Sequence, residues 1–162
     1  MSGKYVLAFL LVLTVSSCDE GIKPPPFTGF SGVIRYRNWP PADSLRDLRI
    51  VAFRNFPPRS IFEEVLNGRA VVYPGLLDTF ALPLYVDSMK YHIEAPLGRF
   101  EYIAVAQQYG PNIFTDWRPV GQYDLDTNLA VPSPIEIKQD VETQDIDINV
   151  DFQNPPPRPF AE

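Results

Sequence analysis

The sequence predicts an all-β fold: a single antiparallel β-sandwich of about seven or eight strands with one short inserted helix. Three observations predict it. The run Asp145-Ile146-Asp147-Ile148-Asn149-Val150-Asp151-Phe152 puts every apolar residue on one face and the Asp and Asn residues on the other, the pattern of a half-buried strand. Pro supplies 18 of the 162 residues, about twice its usual share, and Pro is barred from helix interiors and central strands. Between residues 29 and 153, short apolar runs recur at the spacing of a sandwich.

The first strand is expected at Phe30 to Tyr36, followed by a β-rich run from Leu48 to Phe53. A turn is expected at Asp43 to Asp47. Ser60-Ile61-Phe62-Glu63 has the spacing of a helix capping box, and Asn67-Gly68 supplies a stop, so one helix is expected there with Ile61, Phe62, Val65 and Leu66 packed down. Thr79 to Val86 alternates, with Phe80, Leu82, Leu84 and Val86 on one face. Pro83 lacks an N–H, which makes this an edge or bulged strand. Lys90 to Glu94 is a short strand, with Lys90, His92 and Glu94 on its solvated face. Arg99 to Gln107 is apolar on both sides apart from Glu101, as a central strand would be.

Residues 1–17 read as a signal peptide. Lys4 is the positive segment, and Tyr5 to Val15 is an apolar run of 11 residues, where a membrane-spanning helix needs roughly 20. Ser16-Ser17 are small residues at a cleavage point, and the next residue is the only Cys of the chain. Val15-Ser16-Ser17-Cys18 resembles the bacterial lipobox. That resemblance implies diacylglycerol on the Cys18 thiol, cleavage before Cys18 and attachment to a bacterial membrane through the N-terminal lipid. Each buried lipid CH₂ contributes about 0.8 kcal/mol, so two or more chains anchor stably. Asp19-Glu20 resemble two sorting signals, one for inner-membrane retention and one for surface export. The outer membrane or cell surface is the favoured location, with the inner membrane as the alternative.

Residues 18–28 then form a linker in which Lys23-Pro24-Pro25-Pro26 acts as a semi-rigid polyproline spacer. Residues 29–153 form the domain, and 154–162 a Pro-rich tail. A frayed strand terminator is the simpler reading of that tail, and a polyproline ligand the other.

Net charge is −6. Removing residues 1–17 takes away only Lys4 and leaves 13 basic against 20 acidic residues. Such a surface repels phosphate backbones, so nucleic acid is not an expected partner.

The candidates for chemistry are few. His92 is the only His and lies on a strand face with no nucleophile beside it in the sequence. One His and a lipidated Cys exclude a zinc site built from those ligands. No Gly-rich phosphate loop is present. Asp124-Leu125-Asp126-Thr127-Asn128 spaces oxygen ligands as calcium loops do, but the loop Gly and bidentate Glu are missing, and such residues usually bond their own backbone. No catalytic residue, metal or cofactor is therefore expected.

The aromatics Trp39, Tyr109, Trp117 and Tyr123 remain. Tyr109, Trp117, Arg118 and Tyr123 fall in a predicted loop and form the candidate ligand-contact set, while the favoured reading of Trp117 and Tyr123 is that they cover the sandwich end as core.

The region from Phe30 to Phe152 resembles the transthyretin-like, carboxypeptidase-regulatory β-sandwich, an Ig-like architecture found in bacterial surface lipoproteins. Three stretches carry the resemblance: Gly32-Val33-Ile34 followed by Leu48 to Phe53, the strand–turn–strand run from Ile93 to Val105, and the closing strand from Asp145 to Phe152. Residues 54–78 are a longer insertion than the simplest members carry, and the Asp-x-x-Gly turn common before the middle strands is absent. Some transthyretin-like proteins are hydroxyisourate hydrolases, but this chain lacks their several His and their Tyr-Arg-Gly-Ser ending. The resemblance implies a noncatalytic binding or scaffolding module at the cell envelope, with an envelope protein or glycan as partner. A carbohydrate-binding accessory domain is the alternative, and an enzyme with an unrecognised site comes third.

Overall fold

The computed structural model describes residues 26–126 and 128–159; Cys18 and the signal-peptide and lipobox readings lie outside them. The regular elements of the described chain are strands apart from one short helix and a 3-10 turn at Ala42–Ser44. In chain order the elements are β1 (Gly29–Arg37), β2 (Asp47–Phe53), α1 (Ile61–Leu66), β3 (Ala70–Tyr73), β4 (Ser88–Glu94), β5 (Gly98–Phe100), β6 (Tyr102–Gln108), β7 (Trp117–Tyr123), β8 (Ile135–Ile137), β9 (Glu142–Thr143) and β10 (Ile148–Asp151).

One eight-stranded sheet runs β3-β2-β6-β7-β10-β1-β4, with β9 beside β1, and β5 pairs β8 separately. The sheet is mixed, which corrects the antiparallel expectation: β1 lies parallel to both β10 and β9. Alternation along Asp145 to Phe152 is the same whichever way the neighbour runs, so the sequence does not determine this pairing.

The sheet curls around one core. Phe30 and Ile34 from β1, Leu48 and Ile50 from β2, Ile103 and Val105 from β6, and Ile148 and Val150 from β10 meet inside it. Strands β2 and β6 are buried on both faces. Val51, Phe53, Tyr102, Ala104 and Trp117 form a second cluster on the outer side, covered by Ile61 and Val65 of α1.

The helix forms where its cap predicts. The Ser60 hydroxyl accepts the Glu63 N–H at 3.1 Å, and Gly68 takes φ +66 past the end. Its packing differs from expectation: Leu66 points to solvent, and Glu64 is buried instead. Arg69 binds both carboxylate oxygens of Glu64, at 2.7 and 3.2 Å, and so carries that charge inward.

Other expectations are corrected. Thr79 to Val86 is not a strand. Pro83 cannot donate a ladder bond, and Tyr85 adopts φ +59, which breaks an extended run. Its alternation still counts, since Leu82 is buried and Leu84 and Val86 pack on the core, while Phe80 stays exposed against the Tyr73 ring. The expected strand from Arg99 to Gln107 is two strands, parted at Glu101, whose N–H bonds the Phe53 carbonyl at 2.8 Å. The tail is not frayed over its described length: Pro156 is buried, and the Arg158 guanidinium lies 5.9 Å from the Tyr109 ring.

Candidate functional site

Gly29 and Ser31 are small, so side chains from the strands on either side of β1 can meet over its outer face. His92 of β4 and Glu142 of β9 do so, with His92 Nδ1 3.1 Å from Glu142 Oε1. Hydrogen bonds from the Ser31 hydroxyl and the Gln144 amide, and then the imidazole beside it, hold the Glu142 carboxyl below the usual carboxylate range. The Phe27 ring packs on the imidazole with centroids 3.6 Å apart. Lys90, Asp145 and Asp147 complete the rim of an open cleft of about 480 Å³.

A second tether fixes the far wall of the cleft. Segment 145–147 crosses β1 at Gly32, where Ile146 donates to the Ser31 carbonyl at 3.0 Å and Val33 donates to Asp147 Oδ1 at 2.8 Å. The buried Tyr91 hydroxyl donates to the Ile146 carbonyl. Burial works against the Asp147 carboxylate, but the Val33 N–H and the Arg35 guanidinium outweigh it and draw its pKa down.

Chemically the cluster gathers an imidazole, an ammonium, a hydroxyl and carboxylates around one open cleft. The sequence places His92 with Lys90 and Glu94 on an exposed face, and the structure has them there. Glu142 and Ser31 were not legible as its partners.

The predicted ligand loop is corrected in its placement. Trp117, Arg118 and Tyr123 lie in β7, and the Trp117 and Tyr123 rings are buried. Trp117 Nε1 donates to the Ile113 carbonyl at 2.7 Å, and Arg118 Nε donates to Gln107 at 2.9 Å. Pro119 is tolerated in this strand beside a bulge, where the β6 register shifts between Val105 and Ala106. Tyr109 alone stays in the connecting loop with its ring partly exposed, and Arg118 and Arg158 each stand 5.9 Å from it. Trp39 is elsewhere, packed among Tyr36, Tyr85 and Phe152 with its Nε1 donating to the Val86 carbonyl.

The Asp124 loop bonds itself. Asp124 accepts from Ser133 and Gln122, and Asp126 accepts the Asn128 N–H at 2.6 Å. Among the described residues no three metal-ligating side chains gather, and no helix is long and apolar enough to cross a membrane.

Several carboxylates therefore sit low. Asp151 is the extreme, held down to about 2 by the Asn38 amide, with Asn154 and the N–H groups of Gln153 and Asn154 adding to it. A carboxyl depressed in the folded chain stabilises it fully above the unfolded pKa of about 4 and loses that contribution as pH falls through the folded value. Melting temperature is expected to hold above about pH 5 and to fall between about pH 4 and 2. D151N should flatten the lower part of that fall, which thermal melts across this range would register.

No protein-family model, no curated protein and no solved structure matches this chain.

Proposed function

We propose that the chain is an envelope lipoprotein, anchored through lipid on Cys18, whose β domain is a noncatalytic binding or scaffolding module of the transthyretin-like, carboxypeptidase-regulatory sandwich type. The observation that carries this reading is Val15-Ser16-Ser17-Cys18 directly after the apolar run from Tyr5 to Val15. The start of the domain supports it: Phe27 packs on His92 and Thr28 bonds Asp140, so the expected linker yields its last residues to the domain, and the sequence Lys23-Pro24-Pro25 still stands between Cys18 and the domain as a spacer. The open cleft around Lys90, His92 and Glu142 offers polar and charged groups for recognition. The outer membrane or cell surface is the proposed location, and an envelope protein or glycan the partner. For a glycan, the exposed Tyr109 ring offers a stacking face that the buried Trp117 does not.

The test is intact mass with membrane fractionation of wild type and Cys18→Ala. The expected result is a chain beginning at Cys18 with added lipid mass, found with membranes, and loss of both in the variant. An unlipidated wild-type chain in the soluble fraction would overturn the proposal.

A further inference from the structure

We propose that β4 pairs antiparallel with β4 of a second copy of this chain, about a two-fold axis through His92. The eight-stranded sheet ends at β3 and β4. Strand β3 has four residues and stops at Pro74, which blunts it. Strand β4 has seven, pairs with β1 in unbroken register, and contains no Pro, Gly or bulge.

Which backbone groups β4 leaves open follows from two hydrogen bonds. Tyr36 donates to the Asp87 carbonyl and Ala95 to the Thr28 carbonyl. Bonding residues alternate along an antiparallel ladder, so Asp87, Met89, Tyr91, Ile93 and Ala95 face β1. Ser88, Lys90, His92 and Glu94 turn their N–H and C=O groups away from it, and among the described residues β4 has no other strand beside it.

The side chains select the partner and the register. Lys90, His92 and Glu94 are exposed, and Tyr91 and Ile93 are buried. With the axis at His92, Lys90 faces Glu94 of the partner subunit and Glu94 faces Lys90 of the partner subunit. Each is a bonded pair about 5.5 Å apart at Cα, with opposite charges across it. A parallel in-register pairing would set like charge against like. Pro96 cannot donate, so the new ladder ends there. A cleft separates this edge from Val71, Val72 and Tyr73 of β3, and β4 of the second copy would enter it beside His92 and Glu94.

The test is sedimentation velocity on the full chain in detergent, with two designs at the edge. Wild type is expected to show a concentration-dependent dimer. K90E and E94K should each weaken it about tenfold, and the double swap should restore it, because two symmetric pairs change sign together. His92→Cys should form a disulfide-linked dimer that wild type, with its single Cys18 thiol carrying the proposed lipid, does not form, since a paired position brings the Cα atoms within bonding range. A monomer at all concentrations, a dimer indifferent to both reversals, a double swap without recovery, or no added crosslink would each overturn the proposal.

Discussion

Gly32→Ala should destabilise the domain by about 3 kcal/mol, the upper range for forcing atoms into a filled site. A Cβ at Gly32 would overlap the Ile146 carbonyl oxygen and lie 2.5 Å from its carbon. The obstacle is backbone, not a side-chain tip, so segment 145–147 has to move away. Moving it strains the bonds to the Ser31 carbonyl, the Tyr91 hydroxyl and the Val33 N–H together. Urea unfolding should show a lower midpoint with an unchanged slope. Gly68→Ala is the control: nothing lies near its Cβ, and only its φ of +66 resists, so it should cost about 1 kcal/mol. Equal midpoints for Gly32→Ala and wild type would mean that the crossing at Gly32 is looser than its geometry.

Arg69→Met should cost about 3 kcal/mol at neutral pH, because it strands a buried carboxylate. Glu64 is 2% exposed, and the Arg69 guanidinium does most to hold its pKa below the usual value against burial, with the Arg59 N–H and charge adding to it. Without the guanidinium, burial dominates and the folded carboxyl pKa rises above the unfolded one. The folded variant then binds a proton that the unfolded chain releases, so its stability falls as pH rises through the unfolded value. Arg69→Met should therefore be more stable at pH 5 than at pH 7, whereas wild type should not. Glu64→Gln added to Arg69→Met should recover part of the loss. Denaturation midpoints at the two pH values decide it: a pH-independent loss would place the cost in lost packing, not in a stranded charge.

The elements that the sequence revealed are those whose signal is local. The Ser60 cap, the β-rich run ending at Phe53 and the alternation of Lys90 to Glu94 each need only neighbouring residues, and each lies where expected. Strand β7 was hidden because Trp117-Arg118-Pro119-Val120-Gly121-Gln122-Tyr123 carries Pro and Gly, residues that mark turns. It is a strand because a bulge accepts Pro119 and because β10 packs against Gly121, where a Cβ would meet Val150. Strand β3 was hidden within the stretch read as an insertion, residues 54–78. The cleft at His92 was half legible. His92 sits on a recognisable strand, but Glu142 reaches it from a two-residue strand that has no pattern of its own.

The parallel contact of β1 with β10 has a consequence in time. Asp147 caps the Val33 N–H from 114 positions away, so the first strand gains its inner neighbour only when almost the whole chain is available. Until then β1 has only β4 beside it, and closing so long a loop to bring in the inner neighbour slows the search for the native pairing. A nascent or partly threaded chain should stay open and pliable, and close late, in a single cooperative step, once residues near Phe152 arrive.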